Sequence, residues 1–202
     1  VIVMAKAPQA GLAKTRLIPA LGAAGAALLA ERLLLHAVQQ ATRAAIGPVD
    51  LCCTPDTSHP AFARAASTWG LGLSAQAVGG LGQRMQAAFE RWLPAAGGVL
   101  MMGTDIPGLE SSVLQQAAHA LRTADAVFVP ALDGGYALIG LRQPAPTLFD
   151  DIPWSSPAVM ATTRQRLAAA GLQHVELQPL PDIDEPADLA WLPPGWLPGA
   201  TP

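Results

Sequence analysis

Val99-Leu100-Met101-Met102-Gly103-Thr104-Asp105-Ile106-Pro107 is the stretch that decides the fold. Four large apolar residues in a row read as a buried strand, and a glycine, a carboxylate and a proline follow at once. Working outward, Val1–Ala5, Val49–Cys53 and Leu71–Ala77 read as earlier strands. Gly22–Ala45 and Pro60–Trp69 read as helices between them, and Leu81–Leu93 as an amphipathic helix leading into Val99. Leu28, Leu29, Leu33, Leu34, Ala37, Val38 and Ala41 recur at helical spacing in the first of these, and Gly47-Pro48 stops it. Downstream, Ser111–Thr123 reads as a helix capped by Ser111 or Ser112. Ala126–Pro130 and Tyr136–Leu141 read as strands and Pro157–Ala170 as a helix closed by Gly171. His174–Gln178 reads as the last strand, and Glu185-Pro186 as a helix start with proline at its first position.

Strands alternating with helices predict an α/β fold with a mostly parallel sheet covered on both faces. The alternation lapses near Asp133-Gly134-Gly135, a tight turn, so an antiparallel strand is expected there and the sheet is mixed. Residues 1–192 are expected to form one domain, and 193–202, rich in proline and glycine, an irregular tail. In such sheets ligands sit beyond the carboxyl ends of the strands. That points to the loops after Ala5, Met102, Pro130 and Gln178.

The net charge is −3, so the basic footprint of a duplex-binding protein is absent and nucleic acid is not an expected partner. The longest uninterrupted apolar run, Ala20–Ala30, stops at Glu31 and falls short of the roughly 20 residues that span a bilayer. No membrane span is therefore expected, and without a secretory pattern the expected location is cytoplasmic. The 2 cysteines, Cys52 and Cys53, are neighbours in a strand and should face opposite ways, which excludes a disulfide framework and a zinc site. The histidines His36, His59, His119 and His174 have no metal-ligand spacing.

Two of the loops carry acids suited to a hard cation. Asp105 follows the fourth strand, and Asp182-Ile183-Asp184-Glu185-Pro186 follows the last. Mg²⁺ and Mn²⁺ take carboxylate, phosphate and water oxygens. Asp182 and Asp184, two apart in extended chain, share a face. The loop after the first strand holds Gly11, Lys14, Thr15 and Arg16, whose cations and free N–H groups suit a polyphosphate. It is not a Walker loop, since Ala13 precedes Lys14. Gly79-Gly80-Leu81-Gly82-Gln83-Arg84 approaches a helix N-terminus, where Arg84 also favours an anion. Met85, Phe89 and Trp92 at helical spacing read as core. Trp154 could stack on a base or sugar, or simply pack a loop.

Taken in order, Lys6-Ala7-Pro8 with Gly11, Lys14-Thr15-Arg16-Leu17, Gly82-Gln83-Arg84-Met85, Gly103-Thr104-Asp105-Ile106-Pro107, Asp133-Gly134-Gly135-Tyr136, Trp154-Ser155 and Asp182–Leu189 resemble the DUF2064 family. That family is labelled glycosyltransferase-like, with members associated with arsenosugar biosynthesis. It is related to phospholactate guanylyltransferases and molybdenum-cofactor nucleotidyltransferases. The resemblance implies a GT-A, nucleotide-diphospho-sugar transferase fold. It implies nucleotide binding by Ala5, Lys6, Gly11, Lys14, Thr15, Arg16, Gly82 and Arg84, with Lys14, Arg16 and Asp105 at the reacting phosphates. It implies Mg²⁺ or Mn²⁺ on Asp105, Asp182 and Asp184, and an acceptor beside Asp133, Gly134, Gly135, Tyr136 and Trp154. The expected partners are a nucleotide sugar or nucleoside triphosphate and a small acceptor. Glycosyl transfer is the leading reading. Nucleotidyl transfer to a phosphorylated or carboxylated acceptor, and a non-catalytic nucleotide-binding module, are the alternatives. Two departures stand out: Gly80 and Gln83 occupy positions where the family commonly has acids.

Overall fold

The computed structural model describes residues 1–197. Its centre is a seven-stranded sheet built from β1 (Ile2–Lys6), β2 (Asp50–Thr54), β3 (Gly72–Ala75), β4 (Val99–Met102), β5 (Ala126–Pro130), β6 (Tyr136–Leu141) and β7 (His174–Glu176). The strand order is β3-β2-β1-β4-β6-β5-β7. All neighbouring pairs are parallel except those of β6, which runs antiparallel between β4 and β5. The lapse in alternation near Asp133 is thus the hairpin that turns β5 into β6. Gly140 lets β6 fit there: a Cβ on it would lie 2.5 Å from side-chain atoms of both Leu100 and Val127.

The pleat sends alternate residues to two separate cores. Val3, Leu51, Cys53, Leu100 and Val127 face one side, packed by α1 (Ile18–Arg43), α2 (Pro60–Trp69) and α4 (Ser111–Ala120). Ile2, Cys52, Met101, Phe128 and Ile139 face the other, packed by α3 (Leu81–Trp92) and α5 (Val159–Ala170). The adjacent cysteines face opposite ways as expected. Burial raises both thiols, Cys53 to about 12, so neither is a nucleophile at neutral pH.

Element bounds differ from the sequence reading in informative places. α1 begins at Ile18, with Pro19 in its first turn, but Gly22 (φ 69°, ψ 165°) breaks it, and the uninterrupted helix follows that glycine. β3 and β7, the two edge strands, are shorter than expected. Glu185-Pro186 opens a 3-10 helix, Pro186–Trp191, rather than an α-helix. The segment Thr15–Arg43 is long and apolar enough to cross a membrane by length and composition, although no single apolar run in it is. Here Leu29, Leu33, Leu34 and Val38 are buried in the protein, but Leu28, read as part of the same apolar stripe, lies on the outer face and is exposed. Of the proposed tail, Trp196 stacks edge-on against His36 at 4.9 Å, and residues 198–202 lie outside the described residues.

β7 is held to α5 by a two-pronged ion pair, Arg164 Nε and Nη2 to the Glu176 carboxylate at 2.7 Å each. The hydrogen bonds from Arg164 hold the Glu176 carboxyl below its ordinary value. A carboxylate so lowered stabilises the fold above its unfolded value and loses that contribution as pH falls through the folded one. Glu176→Gln is therefore expected to cost about 0.5–1 kcal/mol at pH 7. The cost should vanish well below roughly pH 4, where the unfolded carboxyl is protonated too. Urea titrations of both proteins across pH 2–7 check this.

Candidate active site

The loops after β1 and β4 and the acidic segment meet at one end of the sheet. Ile183 is the pin. It is fully buried among Leu17, Leu29 and Leu33, under α1. Its N–H donates to the Asp105 carbonyl at 2.9 Å, tying the acidic segment to the β4 loop. With Ile183 inward, Asp182 and Asp184 turn to the opposite face, as their spacing predicts.

Lys14 completes the tie. It sits in the left-handed region (φ 47°, ψ 46°), at the head of a short 3-10 turn, Thr15–Leu17. Its side chain is only 6% exposed. The ammonium lies 2.8 Å from Asp105 Oδ1 and 3.6 Å from Asp184 Oδ1, and donates to the Ile183 carbonyl at 2.5 Å. Arg16 Nη1 donates to Asp184 Oδ2 at 2.5 Å. A buried ammonium is tolerated only when its donors are satisfied, and this one has two close oxygens, from Asp105 and Ile183, with Asp184 as a further ionic partner. Sequence reasoning put Lys14 on phosphates and Asp105 and Asp184 on a cation. The structure brings all of them together, with Lys14 as the positive charge between the two carboxylates.

Asp182 stands apart from that ion pair. Burial pushes its carboxyl up, and the charges of Asp133, Asp188 and Asp184 push it further. Asp188 is itself committed: its Oδ2 accepts the N–H groups of Asp184 (3.0 Å) and Glu185 (2.6 Å), shaping the loop. Among the described residues, no three Asp, Glu, His or Cys side chains stand close enough together to hold a metal ion as they are. The donor chemistry nevertheless fits one. Asp105 and Asp184 already share a cation, and Asp182 and Asp133 add carboxylates with no cation of their own among the described residues. That local excess of hard oxygen suits a divalent ion accompanied by phosphate.

Two cavities meet along Asp105 and Asp184. One, of about 560 Å³, is lined by Ala5, Lys6, Lys14, Thr15, Arg16 and Arg84, together with Gln76. The other, of about 330 Å³, is lined by Met4, Met85, Met101, Tyr136 and Trp154 and by the carboxylates of Asp105, Asp133, Asp182 and Asp184. Gln76 escaped the sequence reading. Its amide donates to the carbonyls of Ala5 (3.3 Å) and Cys52 (3.0 Å), filling the end of the β1–β2 ladder. Met4 and Met101 were legible only as strand residues and Met85 only as helix core. No local signal marks them as cavity wall.

The glycine motifs turn out to be close-approach sites. A Cβ on Gly82 would lie 2.4 Å from the Phe149 carbonyl and 3.0 Å from Trp154 Nε1, so Gly82 seats α3 against the Trp154 loop. Gly134 (φ 94°) would meet the Pro157 backbone at 2.3 Å, and its carbonyl accepts from Met160 at 2.8 Å. Asp133 Oδ1 accepts from Gly135 N–H at 2.8 Å. Gln83 Oε1 accepts from Gly80 N–H at 2.9 Å and so caps α3. Arg84 Nε donates to the Gly79 carbonyl at 2.7 Å. Gly11 (φ 81°) turns the loop that carries Lys14.

Residues 37–156 match the family described as an uncharacterised protein conserved in bacteria, DUF2064. The chain is 30% identical to a Desulfovibrio desulfuricans G20 protein provisionally named a nucleotide-diphospho-sugar transferase, with a TM-score of 0.83 over 93% of this chain and 83% of that one. The chain belongs to the DUF2064 family. The family match stops short of Lys14 and of Asp182 and Asp184. Two more distant structures share the fold. One is the 4-diphosphocytidyl-2C-methyl-D-erythritol synthase of Anaerococcus prevotii DSM 20548 (10% identity, TM-score 0.63, covering 94% of this chain and 92% of that one). The other is Rv0371C of Mycobacterium tuberculosis H37Rv in complex with manganese (16%, TM-score 0.55, 95% and 96%). No curated protein matches. The fold is that of the nucleotide-diphospho-sugar transferases.

Replacing Lys14 with methionine leaves Asp105 and Asp184, which are 50% and 38% exposed, without their shared cation. Lys14→Met is expected to lower stability by about 2 kcal/mol, below the full cost of breaking a buried pair because the carboxylates reach solvent. Added Mg²⁺ or Mn²⁺ should raise the melting temperature of this variant more than that of the parent. Equal cation effects in the two proteins would contradict the placement of Lys14.

Proposed function

We propose that this DUF2064 protein is a metal-assisted transferase that moves a glycosyl group from a nucleotide-diphospho-sugar to a small acceptor. The observation that carries the reading is the meeting of two unlike cavities along Asp105 and Asp184: one basic, one apolar and acidic. A donor with a polyphosphate needs the first, and a group attacking from beside it needs the second. Transfer breaks the bond from the anomeric carbon to the diphosphate oxygen and forms one to the acceptor oxygen, releasing nucleoside diphosphate and a proton.

Ala5, Lys6, Gly11, Thr15 and Arg84 frame the nucleotide, and Lys14 and Arg16 meet its phosphates. Gly82 acts by seating α3 rather than by touching the nucleotide. Asp105, Asp182 and Asp184 would hold Mg²⁺ or Mn²⁺, which supplies charge neutralisation at the leaving diphosphate. Negative charge grows on that diphosphate as the bond breaks, so cations fixed beside it favour the transition state over the ground state. On the acceptor side, Asp133 with Gly134 and Gly135 fixes the turn, and Tyr136 and Trp154 form the wall.

Nucleotidyl transfer is the second reading, favoured by the number of cations in the basic cavity, where Lys6, Lys14, Arg16 and Arg84 would suit a triphosphate. Calorimetry with Mg²⁺ or Mn²⁺ separates the two. Metal-dependent binding of one nucleotide sugar at least tenfold tighter than the parent triphosphate is expected. The reverse preference would replace glycosyl with nucleotidyl transfer, and binding of neither would overturn both.

A further inference from the structure

The apolar cavity has an unusual charge composition for a transferase acceptor site. Its charged lining residues are Asp105, Asp133, Asp182 and Asp184; no lysine, arginine or histidine lines it among the described residues. The nearest cations, Lys14, Arg16 and Arg84, line the other cavity, where Lys14 and Arg16 pair with Asp105 and Asp184. Sites that take phosphate or carboxylate present arginine, lysine or clustered N–H donors. This cavity presents carboxylates, and each negative charge brought in adds repulsion that a low-dielectric wall strengthens.

Ser155 and Ser156 add hydroxyls, and most of the remaining wall is soft and apolar. Met4, Met85 and Met101 supply flexible, polarisable surface that adapts to an apolar body. Trp154 and Tyr136 meet edge-on with ring centres 6.2 Å apart. The Tyr136 hydroxyl is the one buried side-chain polar atom among the described residues without a hydrogen-bond partner. A buried orphan hydroxyl is costly, and a ligand heteroatom is one way to satisfy it.

We propose that the acceptor is a small, largely apolar hydroxyl compound without negative charge, whose oxygen is hydrogen-bonded by Tyr136. The inference rests on the transfer reading above for the word acceptor, but its test needs no nucleotide and no turnover. Failure to form any product from nucleotide donors would therefore fall on the transfer reading and leave this result standing.

The full chain, labelled with ¹³C at its methionine methyls, is titrated with four compounds on one skeleton. They are cyclohexylmethanol, cyclohexylmethylamine, cyclohexanecarboxylate and cyclohexylmethyl phosphate. The alcohol is expected to shift the Met4, Met85 and Met101 methyl signals, with the amine binding at least as well. The carboxylate and the phosphate should bind at least tenfold more weakly. Tyr136→Phe should weaken the alcohol about fivefold without lowering the melting temperature. Anionic compounds binding as tightly as the alcohol, or no methyl shift with any of the four, would overturn the proposal. An unchanged alcohol affinity in Tyr136→Phe would overturn the role of the hydroxyl.

Discussion

The Lys14 ammonium is the point on which the site depends. It joins three segments far apart in the chain: the loop after β1, Asp105 after β4, and the Ile183-Asp184 carbonyl and carboxylate. Each contact compensates for removing a cation from water. Together they fix the distance between the two carboxylates and set the boundary between the basic and the apolar cavity. The left-handed backbone of Lys14 is part of the arrangement. Residues outside glycine, asparagine and aspartate seldom adopt it, and it is sustained where surrounding contacts outweigh its cost.

Hydrophobic burial supplies the foundation beneath that tie. Ile183, fully buried under α1, decides which face its two neighbouring acids present. Asp105 is placed by β4, whose four residues are all buried, two in each core. β6, inserted antiparallel beside β4, brings Tyr136 to the end of the sheet where those acids stand. The topology thus creates the second cavity: a strictly parallel sheet would carry no β5–β6 hairpin there.

Much of this was legible in the chain. The apolar run Val99–Met102, the lapse at Asp133-Gly134-Gly135 and the spacing of Asp182 and Asp184 specify the mixed sheet and the acidic end. The ion pairing of Lys14 with those acids was not legible, because opposite charges distant in sequence reveal their distance only after folding. Nor were the methionines, since a residue facing a cavity and one facing a neighbour have the same periodicity. Gly82 and Gln83 show a third kind of limit. A glycine-rich approach to a helix suggests an anion site, yet Gly82 is required by the Phe149 backbone and Gln83 caps α3. At position 83 an amide makes the capping bond that an acid would make. The departure from the common acid at that position therefore leaves the local structure intact.

The central claim is that Lys14 and Asp105 act as one unit across the seam. A double-mutant cycle tests it most directly, with unfolding free energies measured for the parent, Lys14→Met, Asp105→Asn and the double variant. Residues coupled through one ion pair show a non-additive term, here expected at about 1–2 kcal/mol. Additive effects, with a coupling near zero, would contradict the account.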